Sequence, residues 1–577
     1  MRKHADLLIA TVFALGLSLL AWWSVLYGYP KTQAGDGPFF HEMVESARIS
    51  WVRWHELPLW NPYQCGGIPL WDNPQGIAAA PALWLLLPFG STRAIELWYL
   101  FHTAAGFLFM WLFARSELRA SQPAALVAAS MWAFCGYINQ HLNGGHFTWV
   151  TFLYMPLALY LWRRAEEDMR AAVGMGILVA WEMHEGGTYA IPHFILVLGA
   201  ETLTRAWPPR RIKKIAIAGA VVVLVGATLS ASRLLPVMDQ LRSHKRPLGE
   251  EWDALQWPTL RDMFLARTHD RPAPGQQYVW PEFGDYIGPI LLGLTFVGLL
   301  LAGQEWLWVI ALLGYSFALM AGHAGKYAPW SILKAHVYPF KEMRVPGRFN
   351  SEVTLFMAAL AAIGLDRLVE KGRVWFRSRK TAESFATAVI ALACVGVGDM
   401  IAVGIAWSST RFPNAAAEEH IEPSPRLYLG GGGLAQFIDQ PTQNRGRMEC
   451  WEEWAFEQGS AIWSGDVPQA RAADAKDATV ANVVRTQNTF TFDVDARAPA
   501  HVLLNTSWDR GWKTTLGTTA DDDRLLSIDV PAGKNHVVVK YWPHGLTAGL
   551  VITFGSMIGI AAFYVLDARR RKKAAVT

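Results

Sequence analysis

The sequence predicts a polytopic α-helical membrane protein with about twelve transmembrane helices and a small β-sandwich-like domain outside the membrane, near the C-terminus. Three observations predict this fold class. The chain of 577 residues is 52% hydrophobic and only 17% charged, whereas soluble proteins are about one quarter charged. The apolar residues form long blocks, and basic clusters flank alternate blocks. Short segments of alternating polarity precede the last block.

The apolar blocks approach or reach the roughly 20 residues that a helix needs to cross a bilayer. The runs that we interpret as spans are 6–28, 94–114, 122–141, 147–162, 171–184, 189–204, 213–235, 286–303, 305–321, 350–367, 384–407 and 545–566. The first run is too long for the apolar region of a signal peptide and is followed by no small-residue cleavage site, so we expect a retained helix. A further run, 77–89, is short and contains Pro81 and Pro88, which indicates an interfacial or re-entrant piece.

The positive-inside rule orients this arrangement. With a cytoplasmic N-terminus, the basic clusters around residues 2–3, 115–119, 163–170, 205–214, 367–380 and 569–573 all fall on the inner side. Counting 77–89 as a span would instead place the 205–214 cluster outside. The rule therefore predicts that both termini are cytoplasmic.

The outer side then receives the large polar segments. The predicted organisation is a transmembrane domain over 1–407, which includes a first outer loop over 29–93, an outer domain over 408–544, and a final helix with a basic tail over 545–577. The segments FTFDVDA, AHVLLNTSW, LLSIDV and NHVVVKYW predict strands of a small β-sandwich. Cys65 and Cys450 both lie in outer segments and could pair, but the sequence does not decide this.

Composition and motifs exclude several classes of protein. The net charge of +4 arises from basic residues at membrane edges, so no nucleic-acid partner is expected. The sequence contains no P-loop, Gly-rich dinucleotide motif, G-x-S-x-G or paired CxxC. A nucleotide-driven pump is therefore not indicated.

The first outer loop contains the densest set of ionisable residues. Asp36 follows the first helix, and His41 and Glu42 come next at helical spacing. Residues 41–55 predict an amphipathic helix that lies flat at the membrane interface, with Trp51 toward lipid or protein. Asp36 at such a surface could act as a general base on a hydroxyl, or it could simply cap the following helix.

Two further outer segments carry histidine and glutamate. Glu182, His184 and Glu185 lie where two apolar runs meet. Ionisable groups at membrane depth usually face a cavity or a partner, so these residues could bind a cation or orient a substrate; the alternative is a short hydrated loop. The same two interpretations apply to His141 and His146.

Basic and acidic residues also precede two of the later spans. Arg344 and Arg348 lie on the outer side, where positive charge runs against the general bias. Arginine suits bidentate phosphate binding, whereas contact with lipid headgroups or a salt bridge with Glu342 would also explain the charge. Glu282 and Asp285 are either further site carboxylates or acids at a helix start.

The order of these motifs resembles a known family. The run GDG at 35–37 is followed by LWNPYQCGGIPLWDNPQ at 59–75, DYIG at 285–288, MRVPGRF at 343–349, and SWDRGWKTTL with VPAGKNHVVVKYWP within 507–543. Each motif is short, but their order and spacing are similar to those of the YfhO-like bacterial membrane proteins, in the C-type (GT-C) glycosyltransferase superfamily. The resemblance covers most of the chain.

This resemblance implies a GT-C-like fold in the bacterial inner membrane. It also implies a hexosyltransferase-type reaction on the outer face, from a polyprenyl-phosphate-linked sugar to an envelope glycan, lipid or protein. Asp36 matches the family's first-loop acid, which would act as general base with inversion at the anomeric carbon. Arg344 and Arg348 would hold the donor phosphate. A divalent cation is left open, since family members differ.

The remaining predicted substrate-binding residues are His41, Glu42, His184, Glu185 and Asp285. His184 and Glu185 are candidates for contact with the acceptor or a metal. The sequence departs from the family pattern at one point, because no second acid stands next to Asp36.

Two other classes stay open at this stage. One is a transporter or flippase of lipid-linked glycans, and the other is a non-catalytic envelope assembly protein. Transporters often show inverted repeats and polar groups near mid-membrane. This sequence has no evident repeat, and its polar groups cluster at the predicted outer edge, which favours the enzyme.

Overall fold

The structure is a computed structural model that describes residues 2–26, 36–205, 210–244, 253–269, 271–411, 428–429, 439–448, 450, 462–465 and 467–576. Within these ranges the chain is mainly helical, with a β-rich region before the last helix. The helices of the described residues are α1 (Arg2–Ala21), α2 (Trp23–Leu26), α3 (Gly37–Arg48), α4 (Pro81–Leu86), α5 (Ser91–Ser116), α6 (Gln122–Phe134), α7 (Gly136–Asn143), α8 (Met155–Ala165), α9 (Met169–His184), α10 (Ala190–Arg205), α11 (Arg210–Leu229), α12 (Ala231–Ser243), α13 (Trp257–Leu265), α14 (Pro289–Leu301), α15 (Leu307–Met320), α16 (Pro329–His336), α17 (Asn350–Trp375), α18 (Arg379–Arg411), α19 (Asp439–Thr442) and α20 (Leu546–Val576).

Several of these helices are long and apolar enough, by length and composition, to cross a membrane. In the described part of the chain five meet this condition: His4–Ala21, Ser91–Ser116, Arg211–Leu229, Arg379–Ser408 and Leu546–Lys573. A sixth candidate is the pair Pro289–Leu301 and Gln304–Met320, which is bent by 119° at its break. The chain is therefore a membrane protein, but the prediction of about twelve spans is not confirmed.

The difference in span number arises because several apolar runs do not fold as single helices. The run 122–141 breaks at Cys135, between α6 and α7, and the run 147–162 begins as a 3-10 turn at Phe147–Tyr154 before α8. Helices α9 and α10 each have 16 residues, fewer than the roughly 20 of a full crossing. Hydropathy alone registers these as spans because buried protein helices are as apolar as lipid-facing ones.

Helix α17 forms the centre of the helical part. Its residues 350–365 are buried on every side, between α14, α15, α18 and α6. A Cβ on Gly298 of α14 would lie 1.9 Å from the carbonyl oxygen of Leu360, so glycine permits the backbones of α14 and α17 to touch. This close packing fixes the start of α17, which follows the segment that contains Arg344 and Arg348.

The predicted amphipathic helix is present and is buried over its first part. Helix α3 and the π-helical turn Ile49–Arg53 cover most of the predicted 41–55 range, and every residue from 37 to 47 is buried. Trp51 is part-exposed and stacks on Trp84, with ring centroids 4.9 Å apart. Residues 37–47 therefore face protein rather than lipid, because the rest of the first loop and helix α5 enclose them, and the placement of this helix flat on the membrane interface stays a prediction.

The strands form the β-rich region before the last helix and a small part of the first loop. The described strands are β1 (Trp60–Asn61), β2 (Ile68–Pro69), β3 (Tyr428–Leu429), β4 (Arg445–Gly446), β5 (Ala470–Ala472), β6 (Ala478–Arg485), β7 (Thr489–Ala496), β8 (Ala500–Ser507), β9 (Trp512–Thr514), β10 (Thr519–Asp522), β11 (Leu525–Val530) and β12 (Gly533–Tyr541). Two four-stranded sheets, in the orders β10-β11-β8-β5 and β6-β7-β12-β9, share one apolar core. This is the arrangement of a small β-sandwich, and its strands lie inside the predicted 408–544 segment.

The first loop packs directly against this β-sandwich. The Trp60 ring contacts the rings of Trp512 and Tyr541, with centroids 5.0 and 4.6 Å away. A disulfide joins Cys65 to Cys450, the pairing that the sequence left open. The first loop is therefore held between the helical part and the β-sandwich.

Candidate functional site

Asp36 lies immediately before α3 but does not cap it with its side chain. The residue has helical backbone angles, and its carboxylate accepts no capping hydrogen bond from the first turn. Instead, Asp36 Oδ2 lies 3.2 Å from His146 Nε2, and the Asp36 side chain is 43% exposed. The alternative in which Asp36 serves only as a helix cap therefore receives no support from its contacts.

A close backbone contact brings Asp36 and His146 together. The Asp36 amide donates to the Gly144 carbonyl oxygen at 3.1 Å, just after α7 ends. Gly145 has φ of +90°, and a Cβ at this position would lie 2.2 Å from the Gly37 backbone. Only glycine fits both constraints, so the GG pair of NQHLNGGHF lets the end of α7 press against the start of α3.

His146 is in turn linked to His141 on α7. Their Nδ1 atoms are 2.6 Å apart, a hydrogen-bond distance. The buried His141 ring stacks on Trp149, with centroids 4.5 Å apart and planes 20° from parallel. On its other edge, His141 Nε2 lies 4.0 Å from Glu282 Oε2. The two histidines therefore connect the exposed Asp36 carboxylate to an ionised pair deeper in the protein.

That deeper pair is Glu282 with Arg348. The Arg348 Nε and Nη2 atoms donate to the two oxygens of Glu282 at 3.0 and 2.7 Å. The guanidinium carbon also lies 4.8 and 4.6 Å from the ring centroids of Trp149 and Tyr189. Burial alone would raise the pKa of Glu282, but the charge of Arg348 outweighs burial and lowers this pKa to about 2. The salt-bridge partner of Arg348 is thus Glu282, not Glu342.

Asp285 has both carboxylate oxygens engaged inside the protein. Its Oδ1 accepts from the Tyr137 amide at 3.0 Å, at the start of α7, and its Oδ2 accepts from the Thr354 hydroxyl. Burial raises the pKa of Asp285 to about 6. These contacts tie α7 to α17 and so help to set the position of His141; the predicted contact of Asp285 with substrate stays a prediction.

His41 and Glu42 face away from Asp36, into the protein. His41 Nε2 lies 3.0 Å from the Ser91 hydroxyl, and burial lowers its pKa to about 4. Glu42 Oε2 accepts from Asn61 Nδ2 at 3.1 Å and from the Gln64 side chain. Burial raises the pKa of Glu42 to about 8, against an ordinary value of 4.5. Their predicted roles in substrate binding are untested, but neither lies in the Asp36 network.

The pKa of Glu42 gives a test of this environment. Because the folded protein holds this proton between about pH 4.5 and 8 while the unfolded chain releases it, Glu42 reduces stability as the pH rises through that interval. Glu42→Gln mimics the protonated form, so we expect a stability gain on the order of 3 kcal/mol near pH 7 that shrinks toward pH 5. The measurement is the apparent Tm in detergent from tryptophan fluorescence between pH 5 and 8. Glu383→Gln, on the exposed surface of α18, is the control; a gain that does not vary with pH would contradict the assignment.

His184 and Glu185 lie apart from the Asp36 network, with His184 half-buried and Glu185 fully buried. His184 Nδ1 donates to the Ala180 carbonyl oxygen at 2.8 Å, and its Nε2 accepts from the Ser232 hydroxyl at 3.2 Å. Glu185 Oε1 lies 3.7 Å from His102 Nε2, and both side chains are fully buried. In the described part of the chain, no group of three or more His, Cys, Asp or Glu residues is arranged to hold a metal ion.

The structure therefore joins Asp36 and Arg348, two of the predicted site residues, through three residues for which the sequence left two interpretations open: His141, His146 and Glu282. Arg344 is half-buried and lies four residues before Arg348 in the same outer segment. The sequence did contain an indication of the histidine contacts, since His141 and His146 flank the GG pair and were predicted on the same side of the membrane as Asp36. It contained no such indication for Trp149 and Tyr189, which enclose the guanidinium, because aromatic residues are common in every apolar run.

Comparison with known proteins shows similarity of fold only. No family model and no curated protein matches this chain. Among solved structures, the chain is similar to the arabinofuranosyltransferase AftD from Mycobacteria, with 15% identity, a TM-score of 0.48, and 78% of this chain and 32% of that chain covered. It is also similar to an oligosaccharyltransferase from Archaeoglobus fulgidus tethered with an acceptor peptide, with 12% identity, a TM-score of 0.46, and 79% of this chain and 64% of that chain covered. The chain thus spans about a third of AftD, and its function is argued below from its own residues.

Proposed function

We propose that this protein is a membrane glycosyltransferase that moves a sugar from a polyprenyl-phosphate-linked donor to an envelope acceptor. The reaction would take place on the outer face of the bacterial inner membrane, with both termini in the cytoplasm. The proposal rests on the motif resemblance described above together with the surroundings of Asp36. The donor sugar is expected to be a hexose, and the acceptor is a glycan, lipid or protein.

The observation that carries the proposal is the position of the Asp36 carboxylate. It is the exposed end of a network whose other members are largely buried, and it is not used for capping its helix. A carboxylate held by one neighbour and open on its other side is what a general base requires. A purely structural aspartate would instead be expected to satisfy both oxygens within the protein, as Asp285 does.

The chemistry follows from this position. Asp36 takes the proton of an acceptor hydroxyl, and the oxygen attacks the anomeric carbon of the donor sugar. The new carbon–oxygen bond forms as the bond from the anomeric carbon to the phosphate oxygen breaks, with inversion. The electron pair of the broken bond stays on that oxygen, and polyprenyl phosphate leaves. No redox step or additional reactant is needed.

Stabilisation of the leaving phosphate falls to the cationic segment 344–348. Two guanidinium nitrogens of Arg348 donate to Glu282, which leaves the Nη1 edge as the part directed to a ligand. The stacked aromatic rings and Glu282 fix this edge in place, so the cost of ordering it is already met in the folded protein. A positive charge placed where negative charge develops on the leaving phosphate oxygen would lower the activation barrier of the transfer. Arg344 would add a second positive charge.

The test is a comparison of the envelope of cells with and without the protein. We expect mass spectrometry to detect the loss of one sugar from a lipid, wall polymer or glycoprotein, and accumulation of the corresponding polyprenyl-phosphate sugar. If the envelope composition is unchanged, the proposal fails. If the lipid-linked donor accumulates only on the inner leaflet, the protein is a flippase and the proposal fails as well.

A further inference from the structure

The two histidines next to Asp36 have geometry that the proposed transfer alone does not use. His146 is mostly buried, with 16% of its side chain exposed, and His141 is fully buried. Each ring lies within hydrogen-bond distance of the next group in the order Asp36, His146, His141. Buried polar side chains in such an order constrain one another, because each ring nitrogen is either a donor or an acceptor.

The protonation pattern of the pair follows from the partners at its ends. An ionised Asp36 can only accept, so His146 Nε2 must carry a hydrogen. In a neutral ring the His146 Nδ1 then has a lone pair and accepts from His141 Nδ1, 2.6 Å away. This leaves a lone pair on His141 Nε2, which explains why that atom stands 4.0 Å from the Glu282 carboxylate rather than at bonding distance.

The backbone holds this pattern in place. Asp285 and the Gly144–Gly145 turn fix the two ends of the α7 segment, and Trp149 stacks on the His141 ring. Besides Asp36, the charged or titratable groups that act on or contact the pair are Glu282, Arg348 and Tyr137, whose ring centroid lies 4.4 Å from that of His141. The rings therefore have little freedom to turn, and the donor edge of His146 stays directed at Asp36.

We propose that His146, held by His141, is a positioning residue that keeps the Asp36 carboxylate oriented. This inference rests on the proposed function, in which Asp36 takes the proton of the acceptor. In the ionised state Asp36 is held by the His146 N–H, and its second oxygen is left to face the acceptor hydroxyl. When the second oxygen takes the proton of the acceptor, the contact between Asp36 and His146 weakens. Proton transfer from the acceptor hydroxyl is then complete.

The direct test does not require any sugar substrate. Dicyclohexylcarbodiimide couples to carboxyl groups that it can reach, so the time course of Asp36 labelling at one fixed pH, read by mass spectrometry of the purified protein, reports how firmly this carboxylate is held. In His146→Ala the orienting donor is lost, and labelling of Asp36 is expected to be about fivefold faster than in the wild type, as the loss of one hydrogen bond predicts. His146→Gln supplies a replacement N–H donor and is expected to reverse most of this change.

Kinetics supply the second readout. With a polyprenyl-phosphate sugar and acceptor, His146→Ala is expected to lower kcat about tenfold and to leave KM within twofold. His501→Gln is the matched control, because His501 also pairs with an aspartate, Asp529 at 2.8 Å, but on the exposed surface of the β-sandwich. It should change neither readout.

The outcomes separate the two proposals. Identical labelling time courses for wild type and His146→Ala would overturn the positioning role whatever the activity. Faster labelling in His146→Ala of a protein that transfers no sugar would support the histidine contact and overturn the proposed function. Equally faster labelling and an equal loss of activity in both His146→Ala and His146→Gln, with a lowered apparent Tm, would show a folding defect and overturn the positioning role.

Discussion

Replacing Asp36 with asparagine is expected to lower the rate of sugar transfer by about 10²–10⁴-fold, the usual contribution of a general base. Asparagine has nearly the same shape and can still accept from His146 Nε2, but it cannot take a proton from the acceptor hydroxyl. The side chain is 43% exposed and makes no helix-capping contact, so the apparent Tm should not change. The measurement is single-turnover transfer from a polyprenyl-phosphate sugar, with detergent-solubilised protein.

Two further variants make this result specific. Asp36→Glu retains a carboxylate one methylene further out, and it should retain more activity than Asp36→Asn. Asp529→Asn removes the aspartate of a histidine pair on the outer β-sandwich, and it should have no effect. Full activity in Asp36→Asn would contradict the assignment of Asp36 as the general base. Equal losses of activity in Asp36→Asn and Asp529→Asn would show that the substitutions impair folding rather than catalysis.

The sequence predicted the broad architecture of the chain because that architecture rests on composition. Long apolar blocks, and alternating Val, Phe and Trp segments before the last helix, reflect the solvent that each part meets. The number of spans is not confirmed, since helices such as α9, with 16 residues, are shorter than a full crossing and pack largely against protein. The same ambiguity affected the predicted amphipathic helix 41–55, because an apolar face suits a membrane interface and burial in protein equally well, and the part within α3 is largely buried.

The site was predictable only in part, for a related reason. Asp36 and Arg348 could be selected because a charge in an unusual place has few explanations. Which charges meet could not be derived, since Glu282 and Arg348 are far apart in the chain and are paired where the turn Pro346–Phe349 packs against the turn Trp280–Glu282. The sequence offered Glu342 as the partner, because only near neighbours are visible without the fold. The same limit concealed the contact between His146 and Asp36.

Removal of either partner of the Glu282–Arg348 pair is expected to destabilise the protein strongly, but only removal of Arg348 should make the loss depend on pH between 5 and 8. In the wild type the pKa of Glu282 is about 2, against an ordinary 4.5, so its contribution is present above about pH 4.5 and is lost as the pH falls through 2. Between pH 5 and 8 it is therefore constant. Glu282→Gln leaves a buried cation without a partner at every pH, which costs about 3–5 kcal/mol.

Arg348→Met removes the other charge of the pair, and its effect on stability is expected to depend on pH. Without the guanidinium, burial raises the pKa of Glu282 above its ordinary value, so the folded protein prefers the protonated acid. Stability relative to the wild type is then expected to fall as the pH rises from 5 to 8, because the unfolded chain releases a proton that the folded chain holds. Glu282→Gln should show a loss of similar size at each pH in the same series of apparent Tm measurements.

The double variant Glu282→Gln with Arg348→Met separates pairing from general packing. It contains no unpaired charge, so it should be more stable than Glu282→Gln alone, even though it carries one more substitution. Glu383→Gln, which breaks an exposed pair on α18, should leave the apparent Tm unchanged. If the stability losses of the two single variants simply add in the double variant, or if Arg348→Met shows no pH dependence, the Glu282–Arg348 pair does not stabilise the deeper part of the site. In that case Trp149 and Tyr189, rather than Glu282, would be what holds Arg348 in position.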